Sequence, residues 1–169
     1  MRHSLTLHAT VAILIGMVAA PAAAGAPEIF EDEIYDWTDE LNPLLTDECG
    51  FDVFQSGHET VVVKGFFDRH GELIRVGVHV NGTNMTYKKD GPELVDRYAF
   101  HVTEDIVSET ATYSGNVWNV HTPGSGTGVV INDSGHITFT FGDVLIKTAG
   151  PKDSLKDGFP QDLCDALNS

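Results

Sequence analysis

Basic residues are scarce in this chain, and their scarcity excludes whole classes of partner. Ten Lys and Arg residues stand against 25 Asp and Glu residues, so the formal net charge is −15 at pH 7. A surface with this balance repels nucleic acid and anionic lipid, because it has no basic patch to neutralise phosphate groups. We therefore expect no nucleic-acid partner.

Long apolar runs are equally scarce, and the one present lies close to Met1. A short basic opening precedes an apolar stretch that is densest from 11 to 20, and Pro21-Ala22-Ala23-Ala24 follows it. This order is typical of a secretory signal peptide, and the run is short for a membrane span. We predict a signal peptide over residues 1–24 and a secreted, soluble product without membrane association. The alternative is an N-terminal membrane anchor.

Cysteine occurs twice, as Cys49 and Cys164. An even cysteine count in an exported protein indicates a disulfide, and two cysteines allow one intramolecular pairing. We predict that this bridge ties the start of the β region to the C-terminal segment. A metal site built from two lone cysteines is the weaker interpretation.

The sequence contains only partial matches to the motifs of catalytic, metal-binding and cofactor-binding sites. His58-Glu59 is half of a zinc-protease motif without its second histidine, and it enters a strand pattern rather than a helix. The Gly-rich run 124–128 has neither nucleophile-elbow order nor phosphate-loop spacing. Ser56-Gly57-His58 and Ser134-Gly135-His136 place Ser near His without a third orienting group. We expect no metal and no cofactor, and an enzyme is the less favoured class.

The segment 25–48 combines many carboxylates with an ordered apolar pattern. Phe30, Ile34, Trp37 and Leu41 recur at helical spacing. That spacing predicts an amphipathic helix over about 28–41, with Pro43 ending it. The alternative is a disordered acidic leader.

Residues 49–169 read as an antiparallel β domain. Short β-branched and aromatic stretches alternate with turn residues at regular spacing, and no βαβ unit occurs. About eight strands are expected, at 60–67, 73–80, 83–88, 94–103, 106–113, 116–122, 127–132 and 136–147, with one or two helical turns at 161–167. The pattern predicts an all-β fold, either a closed barrel, which hides sheet edges, or a sandwich.

Two strands carry a repeated polar pattern. Arg75 and His79 share a face of one strand, and Arg97 and His101 share a face of another. If these faces met inside a barrel, they would form a cationic pocket for a carboxylate or an enolate. The valines at 76, 78 and 80 alternate with the first pair and are better core candidates, which favours solvent-facing Arg and His side chains.

The two cysteine segments also carry a resemblance. The stretches Asp47 to Val53 and Asp162 to Leu167, with turns such as Lys89-Asp90-Gly91, resemble a group of uncharacterised exported bacterial β-proteins with one disulfide between their ends. The resemblance implies the fold and the bridge but no activity. Lipocalin-like and allene-oxide-cyclase-like barrels are similar in strand count alone.

Together these patterns predict a non-enzymatic exported protein. We expect a module that binds a small apolar ligand in a barrel or meets a protein partner through the acidic helix. The alternative is a small barrel enzyme with isomerase-like or cyclase-like chemistry that uses Arg97 and His101. The oligomeric state is left open.

Overall fold

The computed structural model describes residues 27–122, 128–155 and 161–169. The predicted signal peptide (1–24) and most of the Gly-rich run lie outside these residues. The elements, in chain order, are β1 (Glu28–Leu41), α1 (Pro43–Cys49), β2 (Phe54–Phe67), β3 (Leu73–Tyr87), β4 (Glu93–Asp105), β5 (Thr110–His121), β6 (Val129–Thr140), β7 (Leu145–Ala149) and α2 (Gln161–Leu167). A 3-10 turn, Asp153–Leu155, follows β7.

The strands form one sheet in which each strand pairs antiparallel with the next along the chain, from β1 to β7. The predicted all-β antiparallel class is confirmed, and so are the helical turns of α2. The expected strand number was eight, and the described sheet has seven longer strands. In the described residues β1 and β7 form opposite edges with no pairing between them, so the sheet is open rather than a closed barrel.

Three of the breaks between the predicted strands, at 81–82, 114–115 and 133–135, are wrong, because the observed strands continue through them. Asn81-Gly82 lies within β3, Ser114-Gly115 within β5 and Asp133-Ser134-Gly135 within β6. Gly82 lies between Glu59 of β2 and Tyr98 of β4, and a Cβ there would sit 2.7 Å from the Tyr98 hydroxyl. Close packing, not a chain reversal, is the reason for this glycine.

Gly115 and Gly135 have a related role. They pair with each other across β5 and β6 and have positive φ values of 119° and 101°. Such angles suit glycine and strain other residues. The register shifts one residue further on, between Asn116 and Trp118, as expected at a β-bulge. Gly115 and Gly135 therefore lie inside long strands, next to a β-bulge, rather than in hairpin turns.

The predicted amphipathic helix over 28–41 is wrong, since these residues form the edge strand β1. Two aromatic side chains explain the docking of this strand. The Phe30 ring covers Gly65 of β2, and the Trp37 ring covers Gly57. A Cβ at either glycine would clash with the ring that covers it. The Trp37 indole Nε1 also donates to Asn84 Oδ1 at 3.3 Å. A short helix, α1, follows this strand, and Pro43 begins that helix instead of ending one.

Side chains alternate between the two sides of the sheet, so the strand register assigns each residue a face. We call one side the valine face; it carries Val61, Val63, Val76, Val78, Val80, Val102 and Ile137. We call the other side the histidine face; it carries His58, His79, His101, His121 and His136.

The main core lies at one end of the valine face, beneath the two helices. Val53, Leu94, Val120, Ile131, Leu163 and Leu167 form this buried cluster. The predicted disulfide is present here. It joins Cys49 at the end of α1 to Cys164 in α2, with 5.2 Å between the Cα atoms and 115 residues of separation. A structural disulfide of this kind persists in oxidising, extracytoplasmic environments. None of the helices described is long and apolar enough to cross a membrane.

Candidate functional site

The histidine face collects most of the imidazoles of the protein. Five of the six histidines among the described residues lie on it, and the sixth, His70, lies in the turn between β2 and β3. One cross-strand row contains three of them. The register places His79 opposite His101, His101 opposite Ser114, and Ser114 opposite His136. Sheet pairing therefore assembles residues that are separated by up to 57 positions in the chain.

The positive charges of the sheet lie on the same side. Within strands β1 to β7, every Lys and Arg lies on the histidine face, namely Lys64, Arg75, Arg97 and Lys147. Most carboxylates of strands β2 to β6 point the other way: Glu59, Asp96, Glu104 and Asp133 lie on the valine face. The histidine face has Asp32 and Asp36 on the edge strand, Asp39 of the same strand in contact with the Tyr87 hydroxyl, and Glu93 and Asp105 at the two ends of β4. A strongly acidic protein thus presents a central strip with few carboxylates.

A shallow depression lies in the middle of this strip. It has a volume of about 240 Å³ and is lined by Val62, Lys64, Phe66, Gly77, His79 and His101. Gly77 forms its floor, where a Cβ would approach Phe66 to 3.3 Å and His101 to 3.4 Å. The missing side chain is what opens the space. The lining combines an ammonium group and two imidazoles with an apolar wall.

Two contacts set the geometry at the rim. The His79 and His101 rings lie 6.3 Å apart between centroids, tilted by 42°. The guanidinium of Arg75 lies 4.2 Å from the centroid of the Phe66 ring, which holds both side chains beside the depression. Arg75 also lies opposite Asp105 on β4.

The electrostatics favour a neutral His101 in the free protein. Partial burial lowers the pKa of its imidazole, and the nearby positive charges of His79, Lys64 and Arg75 lower that pKa further. Each of these groups disfavours a further positive charge at His101. An anion placed in the depression would reverse that balance.

The sequence-predicted site is assembled in part. His79 and His101 line the depression, and Arg75 lies beside it on the Phe66 ring. All three are exposed, as the alternation with the valines indicated. Arg97 is also exposed but lies opposite Thr83, four residues along β4 from His101, and it does not line the depression. The pocket inside a barrel that would have brought all four together does not form, because their strands carry them on the outward, polar side.

Sequence reasoning missed Lys64, Val62 and Phe66. They alternate along β2, and Val62, Lys64 and Phe66 pair with His79, Gly77 and Arg75 of β3, respectively. The signal was present in the alternation of 60–67, yet the register that brings Lys64 beside Gly77 depends on the pairing of β2 with β3.

The serine–histidine pairs suggested by sequence are not formed, and a different one is. Ser114 Oγ shares a hydrogen bond with His136 Nδ1 at 3.1 Å, and His136 Nε2 lies 3.2 Å from Thr138 Oγ1. Both ring nitrogens therefore contact hydroxyl groups, so no carboxylate orients this imidazole as a catalytic triad requires. Ser56, instead of contacting His58, shares a hydrogen bond with Tyr87.

The valine face carries the remaining polar contacts. The Tyr98 hydroxyl donates to Glu59 Oε2 at 2.9 Å, and burial followed by the charge of Glu59 raises the Tyr98 pKa. Asp96 is only 5% exposed, and burial raises the pKa of its carboxyl to about 6. Among the residues the structure describes, no three His, Cys, Asp or Glu side chains are grouped so that they could hold a metal ion.

Comparison with known proteins adds nothing to these observations: no family model, no curated protein and no solved structure matches the chain. The resemblance to exported bacterial β-proteins stays a prediction, and the function has to be argued from the site alone.

Proposed function

We propose that this chain is an exported, non-enzymatic binding protein that holds a small organic anion in the depression on its histidine face. The separation of charge between the two faces carries this proposal. All four Lys and Arg residues of the strands lie on the histidine face, in a protein whose net charge is −15. Such a local field attracts an anion that the rest of the surface repels.

The lining of the depression supports an organic rather than an inorganic anion. Lys64 and the two imidazoles offer N–H donors to a carboxylate, while Val62 and Phe66 offer an apolar wall to its carbon skeleton. About 240 Å³ accommodates a ligand of the size of an aromatic carboxylate rather than a large cofactor. The exported location rests on the predicted signal peptide and on the disulfide.

This proposal replaces the two partners expected from sequence. A ligand inside a barrel requires a closed sheet, and a partner bound through an acidic helix requires residues 28–41 to be helical, whereas the sheet is open and those residues form β1. The enzyme alternative requires Arg97 and His101 to share an enclosed pocket. Both are exposed, and Arg97 does not line the depression, so we favour binding without chemistry.

The test is a titration of the protein with benzoate, followed by amide chemical shifts in NMR at low ionic strength and pH 6. Benzoate should shift resonances of Val62, Lys64, Gly77 and their neighbours, and acetate should bind more weakly because it lacks the ring. Lys64→Gln should weaken benzoate binding about fivefold or more, since the ammonium group of the lining is lost. Added salt should also weaken it.

Lys147→Gln is the matched control. Lys147 lies on the same face but on β7, opposite Thr138 and away from the depression. The same substitution there removes the same net charge without removing a lining group. Equal effects of the two substitutions, or no benzoate shifts in the depression, would overturn the proposal.

A further inference from the structure

The two imidazoles at the depression face each other without a carboxylate between them. His79 and His101 are directly opposite on β3 and β4, with ring centroids 6.3 Å apart. Two protonated imidazoles at that distance repel each other. The pair therefore resists becoming doubly charged unless negative charge enters the depression.

Most of the groups around the pair add to this repulsion; the exception is Asp32 on β1, which lies in the same cross-strand row but is separated from His79 by Val62. Lys64 faces it from β2, and Arg75 lies on β3 four residues from His79. On the β5 side His101 lies opposite Ser114, which is uncharged, and His136 of β6 is hydrogen-bonded to that serine. Asp105, at the end of β4, is placed opposite Arg75 rather than in the lining. The immediate lining thus contains positive and titratable nitrogen groups and no carboxylate.

An anion would supply the missing negative charge. Bound between Lys64 and the two rings, a carboxylate favours the imidazolium form of each ring through attraction and through a charge-assisted hydrogen bond. Thermodynamic linkage then requires the converse: if the anion promotes protonation, protonation promotes binding of the anion.

We propose that the depression takes up its anion together with a proton on the His79–His101 pair, so that the protein binds the ligand in mildly acidic surroundings and releases it as the pH rises above neutrality. This inference rests on the proposed function and adds its regulation. The histidine pair is the sensor, because imidazole is the side chain that normally changes charge in this pH range.

The sign of the pH dependence separates this role from chelation of a metal. Two neutral imidazoles on neighbouring strands also suit a divalent transition metal, and protons compete with the metal for their nitrogens. Metal binding would tighten as the pH rises. Anion binding coupled to a proton tightens as the pH falls.

The experiment measures the Kd of benzoate by NMR from pH 5.5 to pH 8.5, together with the imidazole carbon-bound proton shifts of both histidines. Benzoate stays ionised throughout, because an aromatic carboxylic acid titrates near pH 4, as carboxyl side chains do. We expect binding about tenfold tighter at pH 5.5 than at pH 7.5, and imidazole titration curves that move to higher pH when benzoate is present.

Four variants sharpen the test. His79→Gln and His101→Gln each keep an N–H donor but cannot titrate, so each should flatten the pH dependence in part and the double variant should remove it. His70→Gln, in the turn outside the sheet, should keep the wild-type dependence. The amide spectrum of each variant reports whether the fold is retained.

The outcomes also separate this inference from the proposed function. Absence of benzoate binding at every pH removes both. Binding with a Kd that is flat with pH, or tighter at high pH, overturns the proton coupling and leaves the binding site in place. A double variant that keeps the wild-type pH dependence would likewise overturn the role of this pair.

Discussion

Substitution of the buried Asp96 by Asn should stabilise the protein at neutral pH. Asp96 lies on the valine face of β4, is 5% exposed, and accepts a 2.8 Å hydrogen bond from the backbone N–H of Asn119. Burial raises its pKa to about 6, against the effects of the Asn119 N–H, the His121 imidazole and the Arg97 N–H, which lower it. The unfolded value is 3.8.

The sign follows from which state binds the proton more tightly. The folded protein holds a proton on Asp96 at pH values where the unfolded chain has lost it, so ionisation favours unfolding. The penalty is absent below pH 3.8, grows between pH 3.8 and pH 6, and is complete above that window. A difference of roughly two pKa units corresponds to about 3 kcal/mol.

Asparagine removes this penalty and keeps an oxygen that can accept from Asn119. Its amide adds N–H donors that need partners, which costs about 1 kcal/mol if they stay unpaired. We therefore expect Asp96→Asn to raise the free energy of unfolding by about 1–3 kcal/mol at pH 8 and to leave it nearly unchanged or slightly lower at pH 4.

Urea unfolding followed by Trp fluorescence at the two pH values measures this difference. Asp52→Asn, an exposed carboxylate next to the core residue Val53, is the control and should change neither value. If Asp96→Asn destabilises the protein at pH 8 as much as at pH 4, the Asn119 hydrogen bond outweighs burial, and the argument from desolvation is wrong.

Three further predictions test the fold. Replacing Cys49 and Cys164 together by Ala should lower the free energy of unfolding by about 4–5 kcal/mol, because the bridge spans 115 residues; a loss below 1 kcal/mol in urea unfolding would contradict this. Gly135→Ala should cost about 1–3 kcal/mol, since φ is 101° there, while Gly142→Ala, where no positive φ is found, should be nearly neutral in thermal unfolding. Trp37→Ala should cost about 2 kcal/mol and speed hydrogen exchange over 28–41; unchanged exchange would show that the ring does not hold β1.

Local sequence patterns were sufficient to predict two kinds of feature. One kind depends on residues that are close in the chain, and the other has only one possible partner. Two cysteines allow one pairing, so the disulfide needed no knowledge of the fold. The alternation of 73–80 marks a half-buried strand in any antiparallel sheet, and 161–167 forms α2 as predicted. The same alternation placed Arg75 and His79 on the other side of the strand from the valines, and therefore on the exposed side.

Long-range pairing decided the rest, because strand identity and register depend on neighbours that are distant in the chain. The apolar spacing of 28–41 fits a helix, but such a helix would place like charges such as Asp32 and Asp36 at i, i+4. In β1 the two glycines of β2, Gly57 and Gly65, accept the aromatic rings instead.

The candidate site also depends on the pairing of strands that are distant in the chain. Nothing local links Lys64 to His101; the register of β2, β3 and β4 brings them to one depression, and the absence of a side chain at Gly77 opens it. The sequence by itself determined which side chains are polar and which strands carry them. Only the tertiary structure decided which of them meet, since a shift of one residue in any of these pairings would move a whole set to the opposite face.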